Sequence, residues 1–87
     1  MGAVIIGRNE GDRLLRCLTS VSKQVNAIVY VDSGSTDDSV QRARDIGVYV
    51  SELDMNVPFT AARARNAGAS RLLEEEPLLR YLQFIDG

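Results

Sequence analysis

Asn9, Asp32, Asp54 and Asp86 share one feature: each stands at or soon after the end of a short apolar run. Side chains of this type can hydrogen-bond a sugar hydroxyl or a base N–H, and the carboxylates can also meet a divalent cation. Asp32 is the most informative of them. An acidic residue that closes a strand just ahead of a helix can accept hydrogen bonds from a ribose diol or a base. It can equally order the turn at Gly34 through an Asx-type bond, and position alone leaves both roles open. The stretch Ser33-Gly34-Ser35-Thr36-Asp37-Asp38 resembles a phosphate cradle at a helix start, but Asp37 and Asp38 would repel an anion, so capping explains it better. Nothing matches the dinucleotide glycine fingerprint or a P-loop. Arg63 and Arg65 are either diphosphate contacts or solvated helix arginines. Arg71 and the run Glu74-Glu75-Glu76 read as a solvated face.

The elements that must position these residues follow from hydropathy patterning. Ala3 to Ile6 and Ala27 to Val31 are continuously apolar, as expected of strands buried on both faces of a parallel sheet. Leu14, Leu18, Val21 and Val25 recur at helical steps and predict an amphipathic helix over about 12–23. A second helix is expected from Thr36 or Asp37 to Ile46, with Val40, Ala43 and Ile46 inward. Its start resembles a capping box between Ser35 and Asp38, and Gly47 stands at a left-handed C-cap. Val48 to Ser51 reads as a third strand. A longer helix is expected over about 59–75, with an inward stripe of Phe59, Ala62, Asn66, Ala69 and Leu73. On that stripe the Asn66 amide must bond nearby backbone or reach the site. Tyr81 to Ile85 reads as a fourth strand. The order β-α-β-α-β-α-β predicts a Rossmann-like three-layer α/β/α fold with a mostly parallel sheet and right-handed crossovers. All the strand tips then share one edge, where ligands bind in such sheets.

Composition narrows the functional classes. The 87 residues carry a net charge of -2, which excludes a strongly basic nucleic-acid binder and leaves no nucleic acid among the expected partners. At 45% hydrophobic and 25% charged, the chain has the apolar content of a folded domain. One Cys and no His remove the usual zinc frameworks. A metal would therefore be bound through oxygen, which favours Mg2+ or Mn2+. Cys17, on the first helix, reads as a packed free thiol. No apolar run approaches the roughly 20 residues of a membrane span, and the expected location is cytoplasmic, with membrane association only through segments outside this chain.

The chain resembles the N-terminal half of a family-2 glycosyltransferase of the GT-A fold. Four segments carry the resemblance: Val4-Ile5-Ile6-Gly7-Arg8-Asn9-Glu10, Val31-Asp32-Ser33-Gly34-Ser35-Thr36-Asp37, Ala64-Arg65-Asn66-Ala67-Gly68 and Phe84-Ile85-Asp86-Gly87. The last is similar to the start of that family's Asp-x-Asp metal motif. The resemblance implies that Arg8, Asn9 and Glu10 back the nucleotide base and that Asp32 binds base or ribose. It places Arg65 and Asn66 along the nucleotide pocket and makes Asp86 the first carboxylate of the metal motif. The implied partner is a nucleotide-diphosphate sugar, with an acceptor the sequence does not identify. The implied reaction inverts the anomeric centre and uses Mg2+ or Mn2+. Arg8 stands where many members carry an aromatic residue, and Ser33 where many carry a second Asp. The catalytic base and acceptor-binding half of such an enzyme would lie beyond Gly87. Residues 1–87 are therefore expected to be a nucleotide-sugar-binding part truncated at the metal motif, with little or no transfer activity alone.

Other readings give different expectations. Another nucleotide-binding α/β enzyme, such as a dinucleotide oxidoreductase or a nucleotidyltransferase, would use the same strand tips. A response-regulator-like domain would need a phospho-acceptor Asp after the third strand, where Ser51-Glu52 stands. A non-catalytic fragment would self-associate as a homo-oligomer through an open sheet edge. A chain this short also buries little more than about 60% of its unfolded surface, so marginal stability is expected.

Overall fold

Every residue of β1, Gly2–Gly7, is buried, because the strand is covered on both faces and flanked on both sides. The computed structural model describes residues 1–86, the last of them without its side chain. After β1 come α1 (Gly11–Ser22), β2 (Ala27–Asp32), α2 (Ser39–Ile46), β3 (Tyr49–Glu52), α3 (Ala61–Glu75) and β4 (Leu82–Asp86). The four strands form one sheet in the order β3-β2-β1-β4, and every pairing is parallel. The Rossmann-like α/β arrangement expected from the sequence is present, with a wholly parallel sheet.

Alternation along the strands sorts the core into two layers. Ala3 and Ile5 of β1 and Ile28 and Tyr30 of β2 face α1 and α2, where they meet Leu14, Leu18 and Ala43. Val4, Ile6, Val29 and Val31 face α3, where they meet Ala64 and Leu72. The chain builds β2 and β3 on one side of β1, then crosses back to add β4 on the other. The topological switch therefore falls between β1 and β4, the point at which α/β sheets of this kind open a crevice at their carboxyl edge.

Two helices differ from their expected form. The stripe predicted for α3 is not the one that packs. Ala64, Gly68 and Leu72 are buried, whereas Phe59 and Leu73 are 48% and 43% exposed and Asn66 is exposed. The line of smallest side chains wins because it brings the helix backbone close to the sheet: a Cβ on Gly68 would stand 2.4 Å from Val4 Cγ1. Asn66 is thus not a buried amide in need of a partner. The second helix begins at Ser39, not at Thr36 or Asp37. The backbone N–H groups of Thr36 and Asp37 donate instead to Asn9 Oδ1, at 2.7 and 3.3 Å. No Ser35–Asp38 capping box forms. Asp38 makes no side-chain cap bond and pairs with Arg42 at 2.9 Å. At the other end Gly47 has φ 96°, the left-handed C-cap the sequence signals, but Ile46 is 42% exposed and does not pack inward as expected.

Arg71 also leaves its expected solvated role. Its guanidinium donates to the Val50 carbonyl at 2.9 Å and to Glu75 at 3.2 Å, and lies 5.7 Å from the Tyr49 ring centre. It ties α3 to β3. No helix among the described residues is long and apolar enough to cross a membrane.

Candidate functional site

The carboxyl edge of the sheet is organised around Asp32. Its side chain is 3% exposed. One carboxylate oxygen accepts from the Tyr30 hydroxyl at 2.7 Å and from the Ser35 hydroxyl in a short contact. The other accepts from the backbone N–H groups of Gly34, at 3.2 Å, and Ser35, at 2.9 Å. Tyr30 can reach Asp32 because residues two apart in a strand share a face. Gly34 takes φ 88° to present its N–H to this carboxylate. The turn-ordering role of Asp32, left open by the sequence, is the one these hydrogen bonds display.

Burial first, then the hydrogen bond to Asp32, hold the Tyr30 phenol well above its ordinary value of 10.0. The folded chain keeps this proton where an unfolded chain releases it. Its contribution is fully present below about pH 10 and is lost as pH rises further. In an alkaline titration followed by tyrosinate absorbance, Tyr30 is expected to ionise only together with loss of the far-UV circular dichroism signal. Ionisation of all three tyrosines while that signal is intact would show the phenol to be accessible.

Asn9 stitches the loop after β1 to the loop after β2. Its own N–H donates to Ser35 Oγ at 2.9 Å, while its side-chain oxygen caps Thr36 and Asp37. It does so from a left-handed conformation, φ 52°, that asparagine tolerates better than most residues. Ser33 completes the seam, with its N–H and hydroxyl both donating to the Gly7 carbonyl at 3.0 and 3.1 Å. Among the described residues every buried side-chain nitrogen or oxygen has a hydrogen-bond partner.

Above this seam lies a cleft of about 310 Å3, lined by Ile6, Gly7, Arg8, Glu10, Ser33, Phe59 and Ala61. Of the residues singled out from the sequence, the cleft gathers Arg8 and Glu10. Asn9 and Asp32 are not among its lining residues; each is the chain neighbour of one, Asn9 of Arg8 and Glu10 and Asp32 of Ser33. Arg65 is exposed one helical turn beyond Ala61, on the same side of α3. Asn66 is exposed and does not line the cleft. Asp86 closes β4 in register with Ile6, and its side chain lies outside the described part. Among the described residues no three His, Cys, Asp or Glu side chains gather into a cation cage.

Sequence reasoning missed Phe59, because periodicity assigned it to the buried stripe of α3. The available signal was Thr60, whose hydroxyl accepts from the Arg63 N–H at 3.0 Å. A Thr at that place marks the helix start and leaves Phe59 in the loop. On the opposite side of Glu10, Cys17 is half-buried and its thiol is pushed up, by burial first and by the Glu10 charge second. That is the setting of an unreactive packing thiol.

The sequence model for glycosyl transferase family 2 matches residues 3–87. The chain belongs to glycosyl transferase family 2. An "Uncharacterized glycosyltransferase" of Rickettsia felis is 42% identical over 50 residues, covering 58% of this chain and 18% of the relative. A second, of Rickettsia conorii, is 40% identical over 50 residues, with 58% and 18% covered. A TPR repeat-containing protein of Synechococcus elongatus is 35% identical over 66 residues, with 76% and 16% covered. The chain thus spans less than a fifth of the length of the curated relatives it matches.

Proposed function

We propose that residues 1–87 bind the nucleoside-diphosphate part of an activated sugar, in an enzyme that transfers the sugar to an acceptor hydroxyl with inversion. The observation that carries this reading is the cleft at the carboxyl edge, above the seam between the loops after β1 and β2, with Arg8 and Glu10 on its wall and the Asp32 turn fixed next to it. Arg8 supplies a planar cation that can meet a diphosphate or lie against a base. Glu10 supplies a carboxylate acceptor, and the Ser33 oxygen, whose proton goes to Gly7, can accept from a ribose hydroxyl or a base N–H. Asn9 and Asp32 hold the two loops in place, so that binding does not have to order them. Arg65, exposed one helical turn beyond Ala61, is the cation we assign to the diphosphate, and Asn66, exposed beside it on α3, is assigned to the border of the same nucleotide pocket.

In the transfer, the acceptor oxygen forms its bond to the anomeric carbon as the bond to the diphosphate oxygen breaks. The acceptor proton passes to a base outside these residues. Asp86 is the carboxylate we assign to a divalent cation, Mg2+ or Mn2+, which when bound would offset charge on the departing diphosphate. The self-association reading has the open edge of β4 in its favour, where Phe84 and Tyr81 are 44% and 73% exposed; it concerns assembly and is compatible with donor binding.

Titration with UDP, GDP and dTDP, each with and without Mn2+ and followed by amide NMR shifts, tests the assignment. Saturable binding of at least one of them is expected, with the largest shifts in residues 7–10, 33–36 and 59–61. No binding of any of the three under either condition would remove the donor-site role.

A further inference from the structure

Phe59 is a large apolar side chain held half in water on a backbone that is clamped. The clamp is Arg63, whose guanidinium donates to the carbonyls of Asp54 at 2.7 Å and Val57 at 3.2 Å. The Asn56 N–H adds a bond to Asp54 Oδ1 at 2.9 Å, and Thr60 caps α3 immediately after Phe59. The same loop reaches across to β2, because the Met55 side chain covers Gly34 so closely that a Cβ there would meet Met55 Cγ at 3.1 Å. Phe59 is therefore presented at the cleft by a fixed loop. The other apolar lining is Ile6, Gly7 and Ala61, while Arg8, Glu10 and Ser33 supply the polar groups.

We infer that Phe59 is a stacking platform for the base of the bound nucleoside diphosphate, with Arg8 as the second planar group at the same cleft. This rests on the donor-site proposal above. A diphosphate gains little from an aromatic face and a pyranose offers it only C–H groups, whereas a nucleobase has a π-surface that matches it and edge N–H groups that can donate to Glu10 and to the Ser33 oxygen. The cleft volume is at the small end for ligand sites, sufficient for a base with part of its ribose. Stacking is sequence-tolerant, since every base offers a face. Phe59 thus contributes affinity, and discrimination between bases falls to the polar rim.

The full chain contains no Trp, so Phe59→Trp places a single indole at the cleft. Its emission is expected to be quenched saturably by UDP or GDP and not by inorganic pyrophosphate, which lacks a base. Phe59→Ala is expected to weaken nucleotide binding by about tenfold or more, and Phe59→Tyr to retain it. The melting temperature of Phe59→Ala should stay near that of the unaltered chain, because the ring is half in solvent. Unchanged nucleotide affinity in Phe59→Ala, or an indole insensitive to nucleotides that the unaltered chain binds, would overturn the stacking role alone. Failure of the unaltered chain to bind any nucleotide would overturn the donor site and this inference together.

Discussion

Gly68→Val is expected to leave the chain unfolded, and Gly68→Ala to destabilise it by about 1–3 kcal/mol. Two effects oppose each other at this position. Alanine in a helix interior is favoured over glycine by about 1 kcal/mol. Against that, a Cβ here would stand 2.4 Å from Val4 Cγ1 and 2.8 Å from Val31 Cγ2. Both valines are fully buried on the two central strands. Neither can withdraw without pulling its strand out of register, so the overlap is relieved by lifting α3 and opening the layer it covers. The clash therefore wins. In a domain of this size each kcal/mol moves the melting temperature by about 4–8 °C. Circular dichroism melts should show the Ala variant lowered by several degrees, with partial recovery when Val4→Ala is added. A melting temperature equal to or above that of the parent would show that the helix can shift at no cost.

Asp32→Ala is the second large effect, expected to cost about 2–4 kcal/mol. The loss is not one hydrogen bond. The Tyr30 hydroxyl is left buried without its acceptor, and the Gly34 and Ser35 N–H groups lose theirs. The β2–α2 turn then has no reason to hold φ 88° at Gly34. Because the penalty lies in orphaned donors, adding Tyr30→Phe to Asp32→Ala should cost less than the two single changes summed. Urea denaturation of the four chains measures this directly. Strict additivity, or an Asp32→Ala chain as stable as the parent, would mean that water reaches the turn and replaces the carboxylate.

The legible parts of the fold were those decided by local pattern. The unbroken apolar runs at Ala3–Ile6 and Ala27–Val31 suit strands buried on both faces, as in a parallel sheet. The spacing of Leu14, Leu18 and Val21 leaves one phase for α1, and Gly47 marks a helix end by a conformation few other residues adopt. The illegible parts were decided at a distance. The phase of α3 depends on how near Val4 and Val31 come to Gly68, and hydropathy does not score closeness. The start of α2 is set by Asn9, which captures N–H groups of a loop far along the chain. The gathering of Asn9, Asp32 and Asp86 along one carboxyl edge was legible because all three fall at or just after strand ends. Which residues line it was less so: the pattern drew Phe59 into a helix it does not join and Asn66 into a core it does not enter. The Tyr30–Asp32 bond was within reach of the sequence, since two residues of one strand face the same way.

β1 lies between β2, a near neighbour in the chain, and β4, which follows only after α3. One flank of β1 is therefore closed by a strand synthesised long after it. Until then the three-strand half can already zip, since its crossovers are short, whereas docking β4 must first meet the entropy of closing a much longer loop. Among the described elements, order of synthesis thereby becomes order of assembly, with β4 acting as the latch that closes the second flank of β1.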